Sequence, residues 1–335
     1  MAEASRRSRR KRPSGREEPV HFDPFIDDAQ LRSVYHLLMA GQWHELEAAL
    51  DSDPNAWFIE QILVSETTSV ETVVFEWYHQ AIPSARSVWL LAAARIRDSW
   101  NLLEEVDPDS SDTELEGIDD RFRAELVAAE QLLHDVIRGQ SSLPDPWVQL
   151  LDSGRGLGVD LGELRFRFDH AHSRAPFRAD ACRQYVLGLS SRGGGTDPAM
   201  FDFARWLEDE VPPHYPARIA LPMAHLEHGL GDDCNLTLTD YLTAEETVSE
   251  LAPAFERFLR ATPKAAGPLD LPVLNAYALA MTVTDAGTAR LVSECFRRID
   301  NRPTAYPWSL YVDERIVDVF LEIQRTQLRS AARYL

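Results

Sequence analysis

One spacing recurs along this sequence and constrains the fold more than any other feature. A large apolar residue is followed three positions later by a small one, and five positions further on by Pro. The spacing occurs at residues 46–54 and 168–176, and a looser copy at 255–263 has Phe in place of the small residue. Residues three apart lie on one face of a helix, and Pro ends a helix because it has no N–H to donate. The spacing therefore predicts helices that stop at set positions, which is typical of a chain built from stacked helix pairs.

The composition excludes several classes of protein. Hydrophobic residues make up 44% of the 335 residues, which is usual for a folded domain, and no run approaches the roughly 20 apolar residues of a membrane span. The segment Met1–Arg16 has basic residues but no apolar stretch behind them, so it does not predict a secretory signal. The three cysteines are too few and too scattered for a disulfide framework. We therefore expect a soluble, cytoplasmic protein that does not associate with a membrane.

Charge is distributed unevenly along the chain. Residues 1–16 carry seven Lys or Arg against Glu3, a net charge of +6, whereas the whole chain carries −20, which leaves −26 for residues 17–335. We expect residues 1–20 to form a disordered basic arm ahead of a folded domain that spans 21–335. An acidic domain attracts basic partners and repels nucleic acid, so nucleic acid could bind only through the arm. The candidate partner-binding residues of the arm are Arg6, Arg7, Arg9, Arg10, Lys11 and Arg12.

Helical periodicity describes nearly every apolar segment of the folded part. Residues 27–40, 43–50 and 87–105 each place their apolar side chains on one stripe. Asp119 is the predicted N-cap of a further helix, and the acidic stretch before it is predicted to be a loop. In the C-terminal half, helical segments alternate with short breaks rich in Gly, Pro and Asp. Only residues 235–239 could be extended, so the predicted fold class is all-α.

Two parts of the sequence resemble tetratricopeptide-like proteins. The segment GQWHELEAALDSDPNAW, residues 41–57, resembles the turn and second helix of a tetratricopeptide hairpin. From about residue 145 to 230 the sequence resembles an uncharacterised bacterial family of tetratricopeptide-like helical-repeat proteins. The matching stretches are GRGLG at 154–158, FDHAHSRAP at 168–176 and GGTDPAMFDFAR at 194–205. The resemblance implies a helical-repeat fold and no catalytic residues.

The pair His225-x-x-His228 is the strongest candidate for chemistry. Both imidazoles lie on one face of a predicted helix, and Asp232, Asp233 and Cys234 follow, so the ligand types of a mixed metal site are present. No recognised spacing is completed, because the segment lacks both the HExxH order and a second Cys pair. The alternative is two histidines on the polar edge of a helix that ends at Gly. We therefore assign no metal, no cofactor and no catalytic residue.

Two glycine runs fit turns better than phosphate-binding loops. Residues 154–158 and 193–195 lack the preceding strand of a dinucleotide loop and the Gly-Lys-Ser/Thr of a P-loop. Gly193 also stands where members of the family described above have Trp. Both runs are predicted to relieve tight or left-handed turns between helices.

These observations predict an α-solenoid of antiparallel, tetratricopeptide-like helix pairs in one superhelical domain. Such stacks present a long concave surface. The leading hypothesis is therefore a non-enzymatic interaction or adaptor protein that holds a peptide or protein partner, which we expect to be basic. One alternative is an enzyme, or an accessory protein of one, with a polar site near His225 and His228. The other is a nucleic-acid-associated protein that uses the Arg-rich arm.

Overall fold

Every regular element in the described part of the chain is a helix. The computed structural model describes residues 22–23, 25, 28–53, 55–65, 70–80, 83–104, 106, 111–310 and 316–334. Within these residues there are seventeen α-helices, two short 3-10 turns and no β-strand, so the all-α prediction is confirmed. The helices are α1 (Ala29–Met39), α2 (Trp43–Asp51), α3 (Ala56–Ser65), α4 (Val70–Gln80), α5 (Ala85–Glu104), α6 (Asp112–Gly139), α7 (Asp145–Leu157), α8 (Leu161–Arg174), α9 (Ala179–Leu189), α10 (Asp197–Glu210), α11 (Ala220–Leu230), α12 (Leu238–Thr243), α13 (Glu245–Ala261), α14 (Leu271–Ala280), α15 (Ala286–Ile299), α16 (Ala305–Trp308) and α17 (Ile316–Ala331).

The start of α6 differs from the prediction. Asp119 was expected to cap this helix, but the N-cap is Ser111, eight residues earlier, and the helix begins at Asp112. The hydroxyl of Ser111 accepts a hydrogen bond from the N–H of Glu114, and the Glu114 side chain accepts one from the N–H of Ser111. This capping box satisfies two N–H groups that have no partner inside the helix, so it stabilises a helix start within the acidic stretch. Asp119 lies inside α6, where its carboxylate accepts from Arg123.

The two glycine runs differ in outcome. Residues 193–195 lie in a tight turn after α9, as predicted. Gly154 and Gly156 lie inside α7, so the predicted turn at 154–158 is wrong except at Gly158. Gly158 ends α7 with φ at +69°, in the left-handed region that favours glycine. A Cβ on Gly156 would lie 2.5 Å from Cδ1 of Leu126, so this glycine lets α6 and α7 approach closely. After α9, a Cβ on Gly193 would lie 2.1 Å from the carbonyl oxygen of Leu187, which leaves no room for a side chain such as Trp.

Helices that follow each other in sequence pack against each other. From α4 to α11, each helix contacts the next one along the chain. In addition, α3, α5, α7, α9, α11 and α14 contact one another in that order, so they form one row. The helices α6, α8 and α10 each pack against the two members of this row that flank them in sequence. We call α3, α5, α7, α9, α11 and α14 the inner row, since it carries the cavity described below.

The recurring spacing identifies buried contacts. Phe168 and Ala171 are each only 1% exposed, and the Phe168 ring stacks on Tyr185 of α9 with centroids 4.5 Å apart. The exposed Pro176 follows the end of α8, as predicted. In the first copy, Leu46 is buried and Ala49 half-buried, and Pro54 lies outside the described residues. In the looser copy, both phenylalanines of residues 255–263 are buried and α13 ends at Ala261, just before the Pro.

A hydropathy search of the described helices finds none that is both long and apolar enough to cross a lipid bilayer.

Candidate functional site

The two predicted histidines lie on α11 and contact different partners. His225 is 3% exposed, its Nδ1 lies 2.7 Å from the Tyr241 hydroxyl, and its Nε2 lies 3.4 Å from Oε2 of Glu250. Nδ1 of His228 lies 2.5 Å from Oδ2 of Asp197. The structure therefore brings four helices, α10 to α13, together around α11, but it does not direct the two imidazoles at a common point.

The pKa shifts of this histidine cluster follow from burial and from its polar contacts, and Nε2 of His225 is buried without a hydrogen bond among the described residues. Burial lowers the pKa of His225, so the ring is neutral at pH 7. The contact with His225 and two hydrogen bonds from Arg205 lower the pKa of Glu250 to about 2, which keeps this carboxylate ionised. Burial raises the pKa of Tyr241 to about 12, so its hydroxyl is not a nucleophile at neutral pH.

The cluster does not provide a metal site. Asp197 accepts hydrogen bonds from His228 and from the N–H of Ser191. Asp232, Asp233 and Cys234 follow α11, and the Cys234 thiol lies close enough to add to the rise that burial causes in the pKa of Tyr241, the partner of His225. In the part of the chain that the structure describes, no three His, Cys, Asp or Glu side chains converge as a metal site requires. The cluster ties α10, α11, α12 and α13 together through polar contacts.

A second polar region, which the sequence reasoning missed, is a cavity on the inner row. It encloses about 200 Å³ between α3, α5, α7 and α9, and we call it the arginine cavity. Its apolar wall includes Trp89, Ala93 and Val148, all of which are buried. Its charged lining consists of four arginines and two aspartates, a net charge of +2, from residues Arg97, Arg155, Arg178, Arg183, Asp152 and Asp180. Two further carboxylates, Asp98 and Asp145, bind arginines of this lining from outside it, so the charges of the paired groups balance.

Three of the four arginines have carboxylate partners. Arg178 donates to Asp180 and, through Nη1, to Oδ1 of Asp145 at 2.6 Å. Arg155 donates to Asp152 at 2.9 Å, and its guanidinium lies 4.1 Å from the centre of the Trp100 ring system. Arg97 donates to the neighbouring Asp98 on α5. These three side chains are therefore held in position before any ligand arrives.

Arg183 differs from the other three. It forms no hydrogen bond or ion pair with any residue that the structure describes, and its guanidinium lies 5.3 Å from the centre of the Tyr306 ring. The side chain is half-buried. Its charge opposes the rise that burial causes in the pKa of the buried Glu227, so Arg183 interacts with a carboxylate without a direct hydrogen bond to it.

The remaining candidate residues belong to a segment that the structure does not describe. That segment, residues 1–21, includes the predicted partner-binding residues Arg6, Arg7, Arg9, Arg10, Lys11 and Arg12. Their predicted role in partner binding stays a prediction.

No sequence motif could identify the arginine cavity, because its arginines come from three helices separated by long stretches of sequence.

Comparison of the chain with protein-family models finds no matching family, and comparisons with curated proteins and with solved structures find no significant match. The resemblance to a tetratricopeptide-like family therefore stays a prediction.

Proposed function

We propose that this chain is a non-enzymatic interaction protein of the cytoplasm, built as a tetratricopeptide-like α-solenoid over residues 21–335. The order of contacts in the inner row from α3 to α11 supports this architecture, because a solenoid stacks every second helix on the same side. The proposed task is to hold a helical segment of a protein partner. Fold alone does not imply function, so the proposal rests on a particular surface.

That surface is an open groove between α13 and α15. Its volume is about 1,360 Å³, above the roughly 300–1,000 Å³ of small-molecule sites. On α13 the groove is lined by Glu245, Val248, Ala252, Glu256 and Leu259, which lie three or four residues apart. One complete stripe of the helix therefore faces the groove, and α15 contributes a similar stripe. Two helices that each present a whole stripe form a seat for a third helix.

The chemistry of the groove favours an amphipathic helix. Val248, Ala252 and Leu291 are half-buried and supply an apolar floor. The rim carries charges of both signs, among them Glu256, Arg290 and Arg297. A partner helix would bury an apolar stripe on this floor and place charged residues opposite the rim. The acidic balance of the whole chain favours a basic partner, as the sequence predicts.

The enzyme alternative draws no comparable support from the histidine cluster. His225 is buried against Tyr241 and Glu250, and His228 is hydrogen bonded to Asp197. A general base needs access to a substrate proton, and His225 is 3% exposed. The nucleic-acid alternative rests on the arm alone and stays a prediction.

Site-specific photo-cross-linking tests the proposal. A photoreactive residue at Ala252 is expected to capture one protein in cells of the source organism, whereas the same residue at Phe166, exposed on α8, captures none. Leu291→Glu is expected to abolish the cross-link at position 252, because it places a charge on the apolar floor. Leu161→Glu, on the exposed face of α8, is the matched control and should leave the cross-link intact. A cross-link that survives Leu291→Glu would contradict this use of the groove.

A further inference from the structure

An open cleft of about 750 Å³ lies beside the N-terminus of α1, next to the arginine cavity. Its lining comes mainly from α1, α3 and the segments that precede α9 and α14. We call it the aspartate cleft, after Asp28, Asp53 and Asp270 in that lining. We propose that it binds the basic arm of the same chain, residues 1–16. The inference goes beyond the proposed function, because the cleft shares no lining residue with the groove between α13 and α15, so the two proposals can fail separately.

The first observation is the pairing of the three aspartates. Asp28, Asp53 and Asp270 are half-buried and come from separate parts of the chain. Their carboxylates accept hydrogen bonds from backbone N–H groups and from one neutral amide side chain. No Lys, Arg or His side chain among the described residues bonds to any of the three. The cleft therefore holds three carboxylates that lack a cationic partner in the part of the chain that the structure describes.

The cations near the cleft do not offset these charges. The described lining has one arginine, Arg178, and no lysine, and Arg178 is already bound by Asp145 and Asp180 from outside the lining. Arg302, also outside the lining, donates to backbone carbonyl oxygens. Even with a protonated His214, the lining carries more negative than positive charge. A positively charged occupant therefore fits the cleft.

The walls of the cleft favour arginine as the source of that charge. Trp57, Phe177 and Tyr215 are half-buried in the lining, and the rings of Phe177 and Tyr215 lie 6.5 Å apart at an angle of 85°. A guanidinium both pairs with carboxylates and stacks on aromatic rings, whereas the ammonium of Lys is a compact, strongly hydrated charge. The volume is within the roughly 300–1,000 Å³ of drug-sized sites, so several side chains of an arginine-rich segment have room in it.

The basic arm has this composition and is attached at the edge of the cleft. Residues 1–16 contain six arginines and one lysine and carry a net charge of +6. Asp28 is both the N-cap of α1 and part of the lining, so the arm joins the folded domain beside the cleft. Arg12 precedes Asp28 by 16 residues, and an extended chain of that length spans roughly 50 Å, which reaches all of the cleft. Covalent attachment also gives the arm a high effective concentration there.

Docking of this kind is reversible and limits what else the arm can bind. Contacts between exposed charges are individually weak, and they are screened over about 8 Å at physiological salt. Arginines that lie in the cleft are not available to a nucleic acid or to another acidic surface. Such a partner therefore has to displace the arm from the cleft before it binds.

Photo-cross-linking within the full chain tests the proposal. A photoreactive residue replaces Ser8, which lies among the arginines of the arm, so every basic residue is kept. Mass spectrometry is expected to place the cross-links on residues 55–59, 175–179, 214–216 and 267–270, which line the cleft. Asp53→Asn combined with Asp270→Asn is expected to lower their yield by about threefold or more, because two attractive charges are lost. Each Asn keeps an oxygen that accepts from the backbone, so the variant should fold like the parent, which circular dichroism checks.

Asp120→Asn combined with Asp209→Asn is the matched control, because it removes the same charge from exposed positions of α6 and α10 and should leave the yield unchanged. Equal losses in the two double variants, or cross-links that lie mainly outside the cleft or do not form, would overturn the proposal. So would cross-links between chains in a mixture of isotopically labelled and unlabelled protein, because the cleft would then hold the arm of a second copy. Asp53→Asn with Asp270→Asn should leave the cross-link at position 252 intact, which separates this test from that of the groove.

Discussion

Arg178 and Asp180 form a two-point ion pair at the start of α9, in which Nε donates to Oδ1 at 2.8 Å and Nη2 donates to Oδ2 at 2.6 Å. Both side chains are more than nine-tenths buried. The same guanidinium lies 5.5 Å from the centre of the Trp57 ring system and also binds Asp145, so one side chain joins α3, α7 and α9. The pair holds the wall of the arginine cavity in place.

We predict that Arg178→Leu lowers the free energy of unfolding by about 3–5 kcal/mol, because it leaves the carboxylates of Asp180 and Asp145 buried without a cation. Urea unfolding measures this loss. The control is Arg165→Leu, which breaks the exposed pair with Asp169 and should cost at most about 1 kcal/mol. Equal losses in the two variants would contradict a special role for the buried pair.

Ala171→Leu tests the contact that the recurring spacing identified. Ala171 is 1% exposed on α8, so three added heavy atoms must overpack the contact between helices, and we expect a loss of about 1–3 kcal/mol in unfolding free energy. Thermal unfolding followed by circular dichroism would show it as a lower melting temperature. Ser173→Leu adds similar bulk at an exposed position of the same helix and should leave the melting temperature nearly unchanged.

Two glycine-to-alanine changes are expected to change the free energy of unfolding in opposite directions. At Gly156 a Cβ would lie 2.5 Å from Leu126 Cδ1 and 2.8 Å from Phe122 Cζ, so Gly156→Ala should destabilise by about 1–3 kcal/mol. At Gly117, inside α6, a Cβ would meet nothing within 4 Å. Gly117→Ala should therefore raise the free energy of unfolding by up to about 1 kcal/mol, because Ala has a higher helix propensity than Gly. Denaturant titration of both variants checks the signs, and two stabilising changes would show that α6 and α7 are not in close contact.

Glu60 should make the stability depend on pH. This side chain is 3% exposed, and burial, followed by the charge of Asp145, raises its pKa from 4.5 to about 7, although Arg86 donates to it at 2.7 Å. The folded state therefore holds the proton more tightly than the unfolded state does. The stability that this proton contributes is complete below pH 4.5 and is lost as the pH rises through 7.

Glu60→Gln removes this dependence and keeps an oxygen that accepts from Arg86. The free energy of unfolding of the variant minus that of the parent is expected to be about 2–3 kcal/mol larger at pH 8 than at pH 5, because only the parent loses stability as the pH rises. Urea unfolding of both proteins at the two pH values measures the difference, in which the contributions of other titrating groups cancel. A difference that does not change with pH would mean that Glu60 is ionised throughout.

Much of the helical layout could be predicted because burial imposes a period on the sequence. The stripe that passes through Phe122, Leu126 and Leu133 is buried along α6, as its spacing predicts. The same reasoning placed the start of α6 at Asp119, which is wrong. Leu115 and Ile118 continue the stripe of Phe122 at helical spacing, but Leu115 lies in the acidic stretch that was predicted to be a loop. The Ser-x-x-Glu capping box at Ser111 was the signal that could have corrected the boundary.

The candidate sites were much less predictable. The short spacing of His225 and His228 drew attention to α11, but Tyr241 and Glu250, which engage His225, come from other helices. In the arginine cavity, the sequence does not reveal that Arg178 is hydrogen bonded to carboxylates while Arg183 is not. Pairing depends on which side chains meet across helices, and no local spacing encodes it.

The sequence alone determined that this chain is helical, roughly where most helices lie and which of their faces are buried. These properties follow from the period of apolar residues and from capping groups only a few positions away in the chain. The tertiary structure decided which polar groups are satisfied. Whether an arginine is hydrogen bonded to a carboxylate, as Arg178 is, or not, as for Arg183, depends on which carboxylates helix packing brings within about 3 Å of it, since hydrogen bonds act only over such distances. The histidine cluster, the groove between α13 and α15 and the arginine cavity all depend on that packing.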